Sequence, residues 1–153
     1  MNKPLLDERE LARYSERLGN LTQETTPLWG VMNSTEMVRH MRRAIEMSLE
    51  EVTVVDRSNF LTRTVGKWIF FDLMSKWPKG LPNGKKEVWH PVPEGDFVTE
   101  RESLIATLQK FVVTAAKEPS RRTVSEGFGL TSLAKWRLIH GRHLEHHFKQ
   151  FGI

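Results

Sequence analysis

Apolar positions recur along this chain at three- and four-residue steps. Near the N-terminus Leu11, Tyr14, Leu18 and Leu21 follow such steps among charged residues, which predicts a helix over about 5–21 with one buried face. Pro27 and Gly30 break the pattern between 25 and 32. Asn33 then precedes Glu36 by three residues, the spacing of a capping box in which each partner satisfies an orphan amide of the first helical turn. Behind it Met37, His40, Met41, Ala44, Ile45 and Ser48 form the inward face of a second helix, which the β-branched run at 52–55 closes.

A third helix is expected from near Ser58, with Phe60, Leu61, Val65, Trp68, Ile69 and Leu73 as its inward stripe, ending before Pro78. Residues 77–97 differ: Pro78, Pro82, Pro91 and Pro93 alternate with Gly80, Gly84 and Gly95, which forbids regular helix. A loop of that length is uncommon in a packed domain unless it has a function, and this one carries Trp77, Trp89 and His90. Thr99 and Glu102 suggest another capping box, followed by Leu104, Leu108, Phe111, Val112 and Ala115 up to Pro119. After a basic, glycine-containing loop at 120–129, the last helix begins near Thr131 or Ser132 and runs almost to the end. No internal repeat and no sheet pattern is visible. The expected class is all-α, with a helical bundle favoured.

The 153 residues fit a single domain over 1–153. There is no cysteine, so disulfides, thiolate metal sites and cysteine nucleophiles are excluded; any metal must be held by nitrogen and oxygen. The 23 Lys+Arg against 19 Asp+Glu leave +4. The basic groups at Arg39/Arg42/Arg43, Lys85/Lys86 and Arg121/Arg122 are diluted by acids, so no nucleic-acid partner is expected. No run approaches about 18 apolar residues, and the acidic start is no signal peptide, so neither a membrane partner nor export is expected and the cytoplasm is the default.

Composition shifts the picture most through histidine. Four of the six lie in one stretch, at 140, 143, 146 and 147. On a helix, residues four apart lie about 40° apart on the same face, so His143 and His147 project side by side at chelating distance. Trp136, His140, His143 and His147 share a strip of about 60°, bordered by Leu133, Leu144 and Phe151 on its apolar side. Inward imidazoles need hydrogen-bond partners or a metal. A third ligand is needed, and His40 supplies it from the inward face of the second helix, with His90 as runner-up. His146 lies at the edge of the strip with Gln150. His140 is the candidate for a proton shuttle, a substrate contact or a packing role. Glu36, Glu46 and Glu145 are weak general-base candidates, better explained as capping or surface residues.

The residues also carry a resemblance. Trp29-Gly30-Val31-Met32 followed by Glu36-Met37 and His40, and Phe128-Gly129-Leu130-Thr131, Trp136 and the run 143–152, resemble an uncharacterised branch of the DinB superfamily. Trp77-Pro78-Lys79-Gly80 and Asp96-Phe97 through Leu104 also fit, so the resemblance spans the chain. It implies a DinB-like four-helix bundle with additional short helical segments, often a homodimer. It further implies a metal site on His40, His143 and His147, with His146 set aside. One departure is that residues 121–127 lack the His-Pro that commonly precedes Phe-Gly in that branch.

Three neutral imidazoles with an open position suit one divalent zinc, nickel or iron ion. Such an ion can acidify water, giving a hydrolase, or hold a thiolate, giving a transferase that uses a low-molecular-weight thiol. The resemblance implies the transferase, with a small-molecule substrate. The alternatives are a metal-dependent hydrolase and a non-catalytic, stress-related metal-binding protein.

Overall fold

The computed structural model describes residues 4–74, 77 and 89–153. These residues are mostly helical, with one small two-stranded sheet among them. Helix α1 spans Glu8–Gly19, and the Asp7 carboxylate caps it by accepting from the amides of Arg9 and Glu10. Helix α2 spans Ser34–Ser48 behind the predicted capping box, with both Asn33–Glu36 bonds formed. Helix α3 spans Phe97–Lys117, and α4 spans Leu133–Phe151 between the Ser132 cap and the left-handed Gly152. Among these described residues no helix is long and apolar enough to cross a membrane.

Helix α2 is the central element. It packs on α3, α4 and the hairpin, while α1 packs on α3. Its predicted inward face is buried in full, together with Val38 and Met47. Around it Tyr14, Leu18, Leu21, Leu104, Leu108, Phe111 and Phe148 form a core with no solvent exposure. Gly141 in the middle of α4 lets the N-terminal segment cross the helix. A Cβ there would stand 2.4 Å from the Pro4 carbonyl oxygen, so no larger residue fits without moving backbone.

Three expectations are corrected. The loop predicted over 120–129 contains strand β1, Arg122–Ser125, which pairs antiparallel with β2, Gly129–Ser132, with Val124 opposite Leu130. The chain is therefore not purely helical. The hairpin has no apolar alternation because its inward face is polar: Thr123 and Thr131 are buried, and the Thr123 hydroxyl accepts from the Trp136 indole at 2.8 Å. Helix α3 begins one turn before the Thr99/Glu102 pair, because Asp96 accepts from the Thr99 amide and takes the capping position.

The third helix is the largest correction. Residues 60–73 are helical, but Thr62–Gly66 and Ile69–Leu73 are π-helical. With i→i+5 bonds such turns hold more residues than an α-turn, and a stripe read at α spacing loses its alignment. Phe60, Leu61, Val65, Trp68, Ile69 and Leu73 accordingly face outward, Phe60 at 83% exposure, while Phe70 and Phe71 are buried. Of the predicted 77–97 loop, residues 78–88 lie outside the described residues; Trp77 and Trp89 onward are described.

Candidate metal centre

Helices α2 and α4 each bring histidine to one buried point. His40 arrives from the fully buried stretch of α2, and His143 and His147 from one face of α4, a single turn apart. The three residues are 5%, 7% and 5% exposed. His40 Nε2 lies 3.0 Å from His143 Nε2, which lies 2.9 Å from His147 Nε2. One nitrogen from each residue falls within 4.8 Å of the others, and the group could hold a metal ion.

The protons decide how to read this convergence. His40 Nδ1 faces the Trp89 carbonyl at 2.6 Å, and a carbonyl only accepts, so Nδ1 carries the proton. His147 Nδ1 faces Gln150 Oε1 at 2.7 Å, while the Gln150 amide nitrogen donates to the Trp29 carbonyl at 2.8 Å. That second bond fixes the amide orientation, so His147 also donates from Nδ1. Both rings are neutral: burial pushes the His40 imidazolium down to about 4 and holds those of His143 and His147 well below the usual histidine range. Two Nε2 lone pairs therefore point at the nitrogen of His143, which has room for one proton and cannot serve both. Without a cation this is an electrostatically unfavourable cluster in the core. A divalent ion held by these three nitrogens would replace the conflict with three bonds.

Two of the three ligands, His40 and His147, are held from behind in the way metal-binding histidines usually are, by a hydrogen bond on Nδ1. The Trp89 carbonyl aims His40, and its own segment is tied on both sides. The Trp89 indole donates to Glu126 in the hairpin at 2.5 Å, and the Glu94 carboxylate bridges Arg39 and Arg42 on α2 at 2.9 and 2.8 Å. Buried Glu100 accepts from the amides of Glu94 and Gly95. Gln150 aims His147, and Gly30 makes room for it. Gly30 has φ +86°, and a Cβ there would stand 2.5 Å from the Gln150 amide nitrogen. Trp77 stacks on His143 with ring centroids 5.1 Å apart, closing the site on that side.

The family profile of DUF1569, a protein family of unknown function, matches residues 2–152. The chain belongs to that family. No curated protein and no solved structure matches it.

The other residues named from sequence fall around the histidine triad rather than in it. His90 stacks over the His40 ring at 4.7 Å instead of pointing a nitrogen at the centre. His146 is half-buried, edge-on to His147 at 5.1 Å and to Trp29. His140 packs between Trp136 and Phe111, and its Nε2 lies 2.8 Å from the Ser48 hydroxyl. That hydroxyl donates to the Ile45 carbonyl, so it accepts from His140. Burial holds the His140 imidazolium down to about 3. The three carboxylates are already engaged: Glu36 caps α2, Glu46 pairs with Arg39 and Arg42, and Glu145 pairs with Arg17 and Arg13.

The sequence places Gln150 at the edge of the histidine strip, where a polar supporting role is expected, without linking it to His147; Gly30 and the Trp89 carbonyl are not singled out as parts of the centre. Gln150 had a signal, since it lies three residues beyond His147 on the same helix. A backbone carbonyl has none.

Proposed function

We propose that this protein is a DinB-type four-helix bundle in which His40, His143 and His147 hold one divalent zinc, nickel or iron ion for a metal-dependent transferase using a low-molecular-weight thiol. The observation that carries the proposal is the meeting of three buried Nε2 atoms, two of them with lone pairs fixed toward the centre by Trp89 and Gln150. Three nitrogen ligands leave a coordination position open for a small molecule, which is the pattern of reactive rather than structural sites. An ion bound there supplies Lewis acidity that favours the thiolate form of an incoming thiol.

The residues themselves supply position and shelter. The neutral imidazoles leave the ion's positive charge undiminished, and the Trp89 and Gln150 bonds keep the His40 and His147 rings aimed without reorganisation. Trp77 on His143 excludes water from one side of the centre. In the transfer, a carbon–sulfur bond forms between the thiol and an electrophilic small molecule. The bond to that molecule's leaving group breaks, the leaving group takes its electron pair, and the thiol proton passes to water. The carboxylates nearest in sequence to the triad are occupied by capping and ion pairs, which favours thiol transfer over a hydrolase that needs a carboxylate base.

A fluorogenic bimane electrophile assayed with and without added thiol tests the reading. Turnover that requires both the thiol and the bound metal supports it. Ester or amide hydrolysis without thiol indicates the hydrolase, and metal binding with no turnover indicates a non-catalytic, stress-related role. The homodimer implied by the resemblance is a separate proposal, tested by sedimentation equilibrium.

A further inference from the structure

The hairpin and the π-helical segment border a second feature, open to solvent, away from the histidines. Asp56, Arg63, Lys67, Arg122, Phe128 and Leu130 line a cavity of about 310 Å³, at the lower end of the range for small-molecule sites. Three cations face one acid. The acid is already neutralised, since Arg63 pairs with Asp56 at 2.8 Å and donates to Ser58 at 2.7 Å. Gly129, at φ +66°, lets the hairpin close on this corner: a Cβ there would stand 2.8 Å from the Ser58 hydroxyl and 3.0 Å from Arg63 Nε.

That leaves two charges without a counterion. Lys67 donates to the Leu130 carbonyl at 2.9 Å, and the Arg122 side chain has no carboxylate partner among the described residues. Burial holds the Lys67 ammonium below the usual lysine range, and Lys135, Arg122 and Arg63 add to the effect. Like charges gathered in one concave site work against folding unless something negative joins them. The remaining walls, Phe128 and the exposed Leu130, are apolar.

We propose that this cavity binds a small anionic molecule, with a phosphate-like dianion between Lys67 and Arg122 and an apolar or ring-shaped body against Phe128 and Leu130. The site is independent of the metal centre, and its occupancy does not need the histidine triad.

Calorimetric titration with inorganic phosphate and with phenyl phosphate, at low and at physiological salt, tests it. Both probes should bind one per chain, phenyl phosphate more tightly because its ring meets Phe128. Lys67→Met and Arg122→Gln should each weaken phenyl phosphate about tenfold or more. Lys67→Arg should retain most of the affinity, and His143→Ala should retain all of it. The melting temperature of Lys67→Met should stay the same or rise, since a crowded like charge is gone. Full affinity in the Lys67→Met/Arg122→Gln double variant, or no saturable binding of either probe, overturns the proposal. Loss of binding in His143→Ala would move the anion to the metal centre and overturn it as well. Equal affinity for the two probes would remove the apolar body from the proposal, and saturable binding of duplex DNA alone would replace it.

Discussion

Replacing Gln150 with leucine tests the link between hydrogen bonding and metal affinity. The substitution keeps side-chain volume similar on a helix face where Gln150 is 5% exposed. It removes the acceptor 2.7 Å from His147 Nδ1 and the donor 2.8 Å from the Trp29 carbonyl. A buried imidazole N–H left without an acceptor costs about 1–3 kcal/mol of folding stability. The larger consequence falls on the metal. His147 is then free to rotate or to move its proton to Nε2, which removes the lone pair from the centre. Loss of such a supporting partner lowers metal affinity roughly 10- to 100-fold, or about 1.4–2.7 kcal/mol. The assay is competition against a chromophoric chelator, with zinc and with cobalt, alongside thermal unfolding of the metal-free protein. Gly30→Ala should shift affinity in the same direction, because its Cβ would displace the Gln150 amide. A folded Gln150→Leu variant whose affinity stays within twofold of the parent would refute the reasoning.

Two further outcomes follow from the fold. Glycine to alanine inside a helix ordinarily stabilises by about 0.5–1 kcal/mol, but Gly141→Ala should lower stability by more than about 1 kcal/mol, because its Cβ meets the Pro4 carbonyl; a raised denaturation midpoint would contradict the packing. The metal-free protein should also lose stability in acid. The folded values of His40 and His140, about 4 and about 3, lie below the unfolded value near 6.5, so the unfolded chain binds protons first. The stabilisation is therefore complete above about pH 6.5 and is lost as pH falls toward 4 and then 3, with His40 alone contributing roughly 3 kcal/mol. Urea midpoints measured from pH 7.5 to 4 check the sign, and a flat profile would count against burial of neutral histidines.

What the sequence disclosed and what it hid divide along physical lines. Features that depend on helical periodicity were legible: the Asn33–Glu36 cap, the buried face of α2, and the placing of His143 and His147 one turn apart. The meeting of His40 with that pair was legible too, because inward imidazoles on two helices of one core have few places to go. The π-helical segment was not, since nothing in Phe60 through Leu73 announces a change of hydrogen-bond register, and the stripe read as buried lies outside. The hairpin was hidden because Thr123 and Thr131, not apolar residues, face inward. At α3, Asp96 and Thr99 each stand three residues before a possible partner, and only the folded chain shows that Asp96 caps the helix. The parts of the centre that aim the ligands were hidden most completely, because one is a backbone carbonyl and another a glycine that acts by being small.

The most direct measurement is elemental analysis of untagged protein and of its His40→Ala variant, with the metal per chain determined after exhaustive dialysis. The account predicts about one zinc, nickel or iron per chain in the parent and loss of that metal in the variant, with the fold retained by circular dichroism. Protein that holds no transition metal even after loading, or a folded His40→Ala that keeps the full complement, would contradict the central claim that these three histidines form a metal centre.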